Sequence, residues 1–508
     1  MCGLLLLYLC LVLRPSFARY DEKKKWMHTP APPEDRLMNV CDLLSEQHLN
    51  MFCYCDTKTL GNATDANCWL FNDGEPEDSP VWNSFKTQRH LTKIIFHIRA
   101  VSILPYVPTR AFKHLPKLKT VEIVYANIET VEPFAFANLT LLQDLALTRN
   151  RIVNLKKFSI SFLPDLKVIT LGENRIGELG REVFVSLPSL RKLYMERNNL
   201  SLIHEGAFSA LYSLEELELH GNQLSVVTRQ TFKGLRSLRR LDLSANSLSY
   251  LADGTFMELP SLEELIIERN SLEAIDQGAL ANLEFLSKLY LAQNYLRTLP
   301  PNLFEDCRSL RFVSLRDNSL HTVTYQVFQP VMHNLLNGSA YLIIDGNPLV
   351  CDCRLDWLHT LLNRTASEPI RSSIEELTCR RENPIEPSHS RGGAAIPPPI
   401  RVNGAGGIII DRAGRFSHED DEVEDNDVGT GQDFSGRRIE DDMISSGEDE
   451  VHFLALPRET LPCPGRATGL PAVQLATKPL SSAAKHCSYN SYLLLLCIFS
   501  LLHWELAS

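Results

Sequence analysis

The sequence LRRLDLSANSL, at residues 238–248, contains the pattern that decides the fold. Its opening leucine returns at a constant step of 24 residues along the centre of the chain. The series is Leu142, Leu166, Leu190, Leu214, Leu238, Leu262, Leu286 and Leu310. A short pattern repeated at a fixed period of this length indicates a stack of similar coils, each of which buries its apolar side chains against its neighbours.

The general form, L-x-x-L-x-L-x-x-N-x-L, occurs eleven times between residues 91 and 349 and predicts a leucine-rich-repeat solenoid. Leucines that alternate with polar residues indicate one short strand per repeat, buried on one face only. The predicted fold class is therefore an α/β horseshoe with a parallel β-sheet on its concave face and a cap at each end. Such a fold presents a long surface rather than a closed pocket.

Two other residue types recur once per repeat, and both are predicted to be structural. An asparagine follows each strand, where its amide can satisfy backbone groups that stacking would bury. This series is Asn150, Asn174, Asn198, Asn222, Asn246, Asn270, Asn294, Asn318 and Asn347. The second type is phenylalanine, predicted to form a spine on the convex side: Phe112, Phe136, Phe184, Phe208, Phe232, Phe256 and Phe304. Cys307 takes a leucine position and should be a buried, unreactive thiol.

Cysteines cluster on both sides of the repeats, where an open end of a solenoid needs a cap for its apolar core. They are Cys41, Cys53, Cys55 and Cys68 before the repeats, and Cys351, Cys353, Cys379 and Cys463 after them. An apolar run over residues 4–13 and a small-residue exit ending at Ala18 predict a signal peptide over residues 1–18. We therefore expect disulfides formed in an oxidising compartment, with zinc binding as the competing interpretation.

The predicted domains are an N-terminal cap at 41–90, repeats at 91–349 and a C-terminal cap at 350–463 that contains an insert at about 381–450. Residues 418–450 hold 14 Asp or Glu against two Arg, which predicts disorder. Within this acidic run, Ser435 and Ser446 each precede a glycine, a setting similar to glycosaminoglycan attachment sites. A plain solvated linker is the competing interpretation.

The C-terminal tail carries an apolar run over residues 493–504, which is too short to span a bilayer. Small residues at 481–484 and a short polar spacer precede this run, as in a glycosylphosphatidylinositol (GPI) attachment signal. We predict attachment at Ser482, or else at Ser481, after a stalk at 464–482 and with residues 483–508 removed. The protein would then lie on the extracellular face of the plasma membrane, anchored in the outer leaflet. An ordinary transmembrane helix is the alternative.

Charged residues alternate in sign from repeat to repeat at two strand positions that we expect on the concave face. The four pairs are Arg191 and Lys192, Glu215 and Glu216, Arg239 and Arg240, and Glu263 and Glu264. One interpretation is ion pairing within a solvated sheet. The other is a surface complementary to an inverted copy of itself. Tyr194 and Tyr290 would then be anchors, as would Phe312 and Tyr341.

Five N-x-S/T sequons predict N-glycosylation at Asn62, Asn138, Asn199, Asn337 and Asn363. The chain has neither a G-x-S-x-G nor an H-E-x-x-H motif, and its 15 histidines are scattered. We therefore expect a binding protein rather than an enzyme, with no cofactor, no metal and no nucleic-acid partner.

Two stretches carry a resemblance to a known family. Residues 347–357, with Cys351, Cys353 and Trp357, resemble the C-terminal flank of extracellular leucine-rich-repeat proteins. Residues 53–56, 72–74 and 81–82, together with the tail, resemble GPI-anchored leucine-rich-repeat adhesion proteins of insects.

The resemblance implies four disulfides: Cys41–Cys55, Cys53–Cys68, Cys351–Cys379 and Cys353–Cys463. Sequence alone leaves this connectivity open. The resemblance also implies homophilic adhesion between neurons and muscle or among axons. The alternative is a GPI-linked co-receptor whose partner is another cell-surface protein.

Overall fold

The computed structural model describes residues 38–45, 49–99, 102–381 and 450–463. Within these ranges it confirms the predicted solenoid. Several sequence predictions lie outside the described residues: the signal peptide, nearly all of the acidic insert with Ser435 and Ser446, the stalk, and the proposed attachment residues Ser481 and Ser482.

One sheet of thirteen strands runs through the molecule, and the spatial order of the strands follows the chain. The first two strands pair antiparallel, and every later neighbour pairs parallel. The strands are β1 (Met51–Cys55), β2 (Asp65–Leu70), β3 (Lys93–Ile98), β4 (Thr120–Val124), β5 (Asp144–Ala146), β6 (Val168–Thr170), β7 (Lys192–Tyr194), β8 (Glu216–Glu218), β9 (Arg240–Asp242), β10 (Glu264–Ile266), β11 (Lys288–Tyr290), β12 (Phe312–Ser314) and β13 (Tyr341–Ile343).

The repeat period sets the register of this sheet. Leu193 of β7 lies opposite Leu217 of β8, which lies opposite Leu241 of β9, and all three are fully buried. Because side chains alternate between the two faces of a strand, the residues on either side of each leucine lie on the open, concave face. The leucine spacing thus decides which residues can meet a partner.

Shorter elements lie outside this sheet, between its strands and in the two caps. Four pairs of two-residue strands are Thr130–Val131 with Asn154–Leu155, Ile160–Ser161 with Phe184–Val185, Glu178–Leu179 with Leu202–Ile203, and Tyr250–Leu251 with Ala274–Ile275. The helices are α1 (Thr109–Phe112), α2 (Tyr325–Phe328), α3 (Met332–Leu335), α4 (Asp356–Arg364) and α5 (Glu368–Glu375), and 3₁₀ turns occupy Val40–Ser45, Pro80–Thr87, Gln329–Val331, Cys353–Leu355, Phe453–Ala455 and Arg458–Thr460. No helix in the described ranges is both long and apolar enough to cross a membrane.

The predicted phenylalanine spine is present, and all seven of its members are buried. The Phe232 and Phe256 rings lie 5.6 Å apart in a stacked arrangement. Beyond Phe304 the spine continues through Phe328 to Trp357 of the C-terminal cap, whose ring stacks on Phe328 at 5.0 Å. Burial also raises the pKa of the Cys307 thiol to about 12, so this cysteine is a core residue with little thiolate at neutral pH.

Two disulfides cross the N-terminal cap, Cys41–Cys55 and Cys53–Cys68. The second joins residues that face each other on the antiparallel strands β1 and β2. Each of the two disulfides has one cysteine in β1, the first strand of the sheet. They therefore stabilise the cap that covers the N-terminal end of the solenoid core.

The C-terminal cap begins where the repeat spacing lengthens, since α2 and α3 occupy the additional residues between β12 and β13. A third disulfide joins Cys351 to Cys379. Strand β14 (Thr378–Arg380) pairs antiparallel with β15 (Glu450–His452), so the chain leaves the cap and re-enters it at adjacent points.

The chain that follows β15 is attached to the cap at several places. Phe453 is fully buried, and the Arg458 guanidinium pairs with the Asp356 carboxylate. The Cys353 backbone N–H donates to the Pro462 carbonyl at 2.9 Å. Cys353 and Cys463 are each disulfide-bonded.

Candidate functional site

The concave face of the sheet brings together the charged residues that the sequence predicted. Strands β7 to β11 each place a charged side chain at the same position, which gives the row Lys192, Glu216, Arg240, Glu264 and Lys288. Its signs alternate, and each member has a neighbour of opposite charge on the adjacent strand. We call these five residues the inner charged row.

The inner charged row is held by ion pairs between strands. Lys192 Nζ lies 2.8 Å from a Glu216 carboxylate oxygen, and Lys288 Nζ lies 3.2 Å from Glu264. The Arg240 guanidinium lies between Glu216 at 3.8 Å and Glu264 at 3.7 Å. These charges therefore satisfy one another within one copy of the protein.

The four remaining charged candidates lie one residue before their strands, beside the inner row rather than in it. They form two separate pairs, Arg191 with Glu215 and Arg239 with Glu263. This arrangement favours the first interpretation of the alternating charges, in which they neutralise each other within the sheet. Exposed pairs of this kind contribute about 1 kcal/mol or less each.

The local environment shifts several pKa values at the centre of the face. Burial raises the pKa of the Glu218 carboxyl above its usual value, although the Arg240 guanidinium at 2.6 Å acts against this rise. A hydrogen bond to Glu216 raises the pKa of the Lys192 ammonium. Burial likewise raises the pKa of the Tyr194 hydroxyl. The central charges are thus paired or partly shielded from water before any partner arrives.

Aromatic side chains occupy the C-terminal end of the same face. The Tyr290 and Phe312 rings lie 4.7 Å apart, and the Phe312 and Tyr341 rings lie 5.5 Å apart. Tyr341 is 41% exposed. We call these three residues of β11, β12 and β13 the C-terminal aromatic platform. The sequence predicted these anchors, but only the register shows that they form one cluster while Tyr194 lies four strands away.

A second aromatic cluster, which was not predicted from the sequence, lies at the N-terminal end of the sheet. On β1, β2 and β3, the Phe52 ring stacks on Trp69 at 6.3 Å and the Trp69 ring stacks on His97 at 5.2 Å. Tyr54, on the same face of β1, is 64% exposed. We call these four residues the N-terminal aromatic platform. The alternating pattern of β2 could have placed Trp69 on the open face, but it gave no indication that Phe52 lies beside it.

A third aromatic group, also not predicted from the sequence, lies outside the strands of the concave sheet. Phe134 and Phe158 stack at 5.7 Å, and Phe134 lies 6.1 Å from Phe162. All three have left-handed backbones, with φ values of 61°, 60° and 59°, a conformation that is rare for bulky residues. Phe134 and Phe162 are about half exposed.

All five sequon asparagines are exposed, but none lies in a strand of the concave sheet. Asn62 lies in the N-terminal cap, whereas Asn337 and Asn363 lie beside or within the C-terminal cap. Asn138 and Asn199 lie between strands of the repeats. Any glycan at these positions would therefore be attached outside the strands of the concave face.

Comparison with known proteins identifies the repeats. The leucine-rich-repeat family model matches residues 140–200, 164–224, 212–272 and 260–320. Connectin of Drosophila melanogaster is 40% identical to this chain over 78 residues, which is 15% of this chain and 11% of connectin. The matched segment is thus a small part of the length of connectin.

Solved structures that this chain matches include Toll, from the Drosophila Toll–Spatzle complex. Toll is 18% identical, and the match covers 58% of this chain and 50% of Toll with a TM-score of 0.43. A leucine-rich-repeat protein of Leptospira interrogans is 20% identical, and the match covers 58% of this chain and 80% of that protein with a TM-score of 0.42. The chain therefore spans about half the length of Toll.

Proposed function

We propose that this chain, which is a leucine-rich-repeat protein similar to connectin, is a cell-surface adhesion protein that binds copies of itself on opposing cells through its concave face. The observation that carries this proposal is the pair of solvent-accessible aromatic platforms at the two ends of that face. Large aromatic side chains dominate the binding energy of protein interfaces. The cysteine caps and the resemblance of the flanks to insect adhesion proteins support a role outside the cell.

The concave face suits a large protein partner better than a small ligand. It is an open sheet of thirteen strands, without the enclosed shape of a small-molecule site. Its central charges are neutralised internally, so the aromatic residues are the groups that gain most from being covered. The position of the sequons, away from these strands, supports access by a partner.

A glycan placed on the concave face should abolish recognition without altering the core. Asp144 is exposed on β5, and Asp144→Asn with Ala146→Thr creates a sequon there. We expect cells that display this double variant to stop aggregating with one another, because a bulky glycan separates the two faces. The measurement is an aggregation assay with otherwise non-adhesive cells, in which labelled transfected and unlabelled untransfected cells are mixed.

The matched control is Asp144→Asn alone, which makes the same charge change but creates no sequon. It should aggregate like the wild type, and a glycosidase-sensitive mobility shift should appear only in the double variant. If a fully glycosylated double variant aggregates normally, the contact between copies must lie outside the concave face. Aggregates that recruit untransfected cells, or capture of a soluble protein without self-aggregation, would favour the co-receptor alternative.

We also propose that the protein is held on the outer leaflet by a GPI lipid at Ser482 or Ser481. A phospholipase specific for phosphatidylinositol should release it from intact cells, because it cleaves the lipid that would be the sole attachment. A variant that ends at residue 482 should be secreted without treatment and serves as the control. Retention on treated cells, or recovery of peptides from residues 483–508 in the mature protein, would contradict the anchor.

A further inference from the structure

Residues 79–121 form a stretch of the chain that contains no acidic residue. Its lysines and arginines are Lys86, Arg89, Lys93, Arg99, Arg110, Lys113, Lys117 and Lys119. The stretch runs from the 3₁₀ turn Pro80–Thr87 of the N-terminal cap, through β3, to the start of β4. Basic residues without intervening acids are typical of surfaces that bind polyanions.

The fold brings several of these basic residues to one edge of the sheet. Two turns of the same form lie there, residues 88–91 before β3 and residues 115–118 before β4, and backbone hydrogen bonds of 3.2 and 3.3 Å close them. Because β3 and β4 pair in parallel, the two turns stack on each other. The exposed Arg89 and His90 of the first turn therefore lie next to the exposed Lys117 of the second.

Further basic residues lie close to these turns. Burial lowers the pKa of the His114 imidazole, and the positive charges of Lys86, Arg89 and Lys113 lower it further, so all three act on one side chain. Lys119 is exposed on the same edge, just before β4. We call the following five residues the N-terminal basic cluster: Lys86, Arg89, Lys113, Lys117 and Lys119.

The N-terminal basic cluster lacks the acidic partners that basic residues elsewhere on the solenoid have. Lys156, for example, lies 2.8 Å from Glu132 of the neighbouring coil. Among the residues that the structure describes, no member of the cluster forms an ion pair of this kind. Lys113 lines a cavity with Glu77 and Glu132 but pairs with neither. The positive charge of the cluster is therefore not neutralised by the solenoid itself.

We infer that the N-terminal basic cluster binds a sulfated polysaccharide of the cell surface or the extracellular matrix. The sulfate groups of a linear polysaccharide supply the negative charges that these lysines and arginines lack within the protein. Their attraction to an exposed basic edge does not require a closed pocket. This inference does not depend on the proposed self-recognition, which rests on the aromatic platforms.

The surroundings of the cluster favour a polysaccharide over other polyanions. Proteins that bind single-stranded nucleic acid stack nucleobases on exposed aromatic rings, whereas Trp82, Phe85, Phe96 and Phe112 of this stretch are buried. Anionic lipids concentrate in the cytoplasmic leaflet, whereas the cysteine caps support a position outside the cell. The acidic insert of this chain leaves and re-enters the fold at β14 and β15 of the C-terminal cap, whereas the cluster lies beside the third and fourth of the thirteen strands.

Binding of the full-length protein to heparin, a heavily sulfated polysaccharide, tests this inference. The protein is produced in animal cells with its glycans and purified in detergent, and one variant combines Lys86→Gln, Arg89→Gln, Lys117→Gln and Lys119→Gln. At physiological salt we expect the wild type to bind immobilised heparin, and the variant to bind at least about tenfold more weakly, because its charge contacts are lost. Raised salt should weaken the binding of the wild type more steeply than that of the variant.

A matched control removes the same number of positive charges at positions that pair with acids. It combines Lys156→Gln, Lys157→Gln, Arg181→Gln and Arg229→Gln. This control should bind heparin like the wild type, and hyaluronan, which has carboxylates but no sulfates, should not compete. An equal loss in both variants would mean that binding follows net charge, and would overturn the inference. If heparin binds only after residues 383–448 are removed, the acidic insert is the occupant of the cluster and the inference fails.

A measurement on the wild type keeps the inference testable if circular dichroism shows that the cluster variant is unfolded. Lysines are acetylated with and without saturating heparin, and the modified peptides are quantified by mass spectrometry. Heparin should protect Lys117 and Lys119 severalfold, whereas Lys156 and Lys157 should react equally under both conditions. Equal protection of all four lysines, or no protection of Lys117 and Lys119, would contradict a polysaccharide site at this edge.

Discussion

Replacing Asn246 by alanine is expected to lower the free energy of unfolding by about 3–4 kcal/mol. The Asn246 amide oxygen accepts the Leu224 N–H at 3.0 Å, and its amide nitrogen donates to the Leu219 and Leu243 carbonyls at 3.0 Å. These backbone groups are buried between two coils. Alanine leaves them without partners and without water, and each such group costs about 1–3 kcal/mol.

Urea unfolding of the purified protein, followed by circular dichroism, measures this loss. Asn246→Asp separates the two roles of the amide, because a carboxylate still accepts from Leu224 but cannot donate to the carbonyls. We expect it to be at least as destabilising as alanine, since it places a charge against carbonyl oxygens. Ser247→Ala, at the exposed neighbouring position, should change stability by less than about 0.5 kcal/mol. A small effect of Asn246→Ala would mean that these amides are not structural.

Mass mapping of the unreduced protein is expected to place Cys463 with Cys353, and breaking that bond should cost about 4–5 kcal/mol. Both cysteines are disulfide-bonded, and the other disulfides of the caps account for Cys41, Cys53, Cys55, Cys68, Cys351 and Cys379. The bond would close a loop of more than 100 residues, and the chain-entropy effect of a disulfide grows with the length of its loop.

A double-mutant cycle provides the control for this pairing. If the two cysteines pair with each other, Cys353→Ser with Cys463→Ser should cost no more than either single change. Removal of residues 383–448, which joins the chain near the paired residues Arg380 and Glu450, should leave the cap folded. The shorter loop should also reduce the contribution of the disulfide by about 1 kcal/mol. Additive losses in the cycle, or peptides that link Cys353 to Cys307, would contradict the pairing.

The role of the alternating charges could be decided only from the structure. The pattern from Arg191 to Glu264 was visible in the sequence, and so was the choice between internal pairing and recognition. The choice depends on side-chain distances between residues one repeat apart, such as Lys192 and Glu216 at 2.8 Å. The structure favours internal pairing of the charges. The candidate binding residues are therefore those of the two aromatic platforms at the ends of the face.

The sequence by itself determined the architecture. A fixed period of 24 residues specifies one coil per repeat, and the leucine alternation specifies which side chains are buried. The asparagine and phenylalanine series could be assigned for the same reason, since each recurs at one position of the coil. The C-terminal aromatic candidates also followed from this periodicity, because it places them on the open face.

Tertiary structure alone decided which distant residues meet. Phe52 and Trp69 come together through the antiparallel pairing of β1 and β2, which lies outside the repeat period. The pairing of Arg380 with Glu450 brings together residues on opposite sides of the acidic insert. The left-handed backbone at Phe134 has no signal in its residue type. Local periodicity determines what each coil buries and how neighbouring repeats are aligned, whereas contacts in the caps depend on strand pairings outside the repeat, which form only in the folded chain.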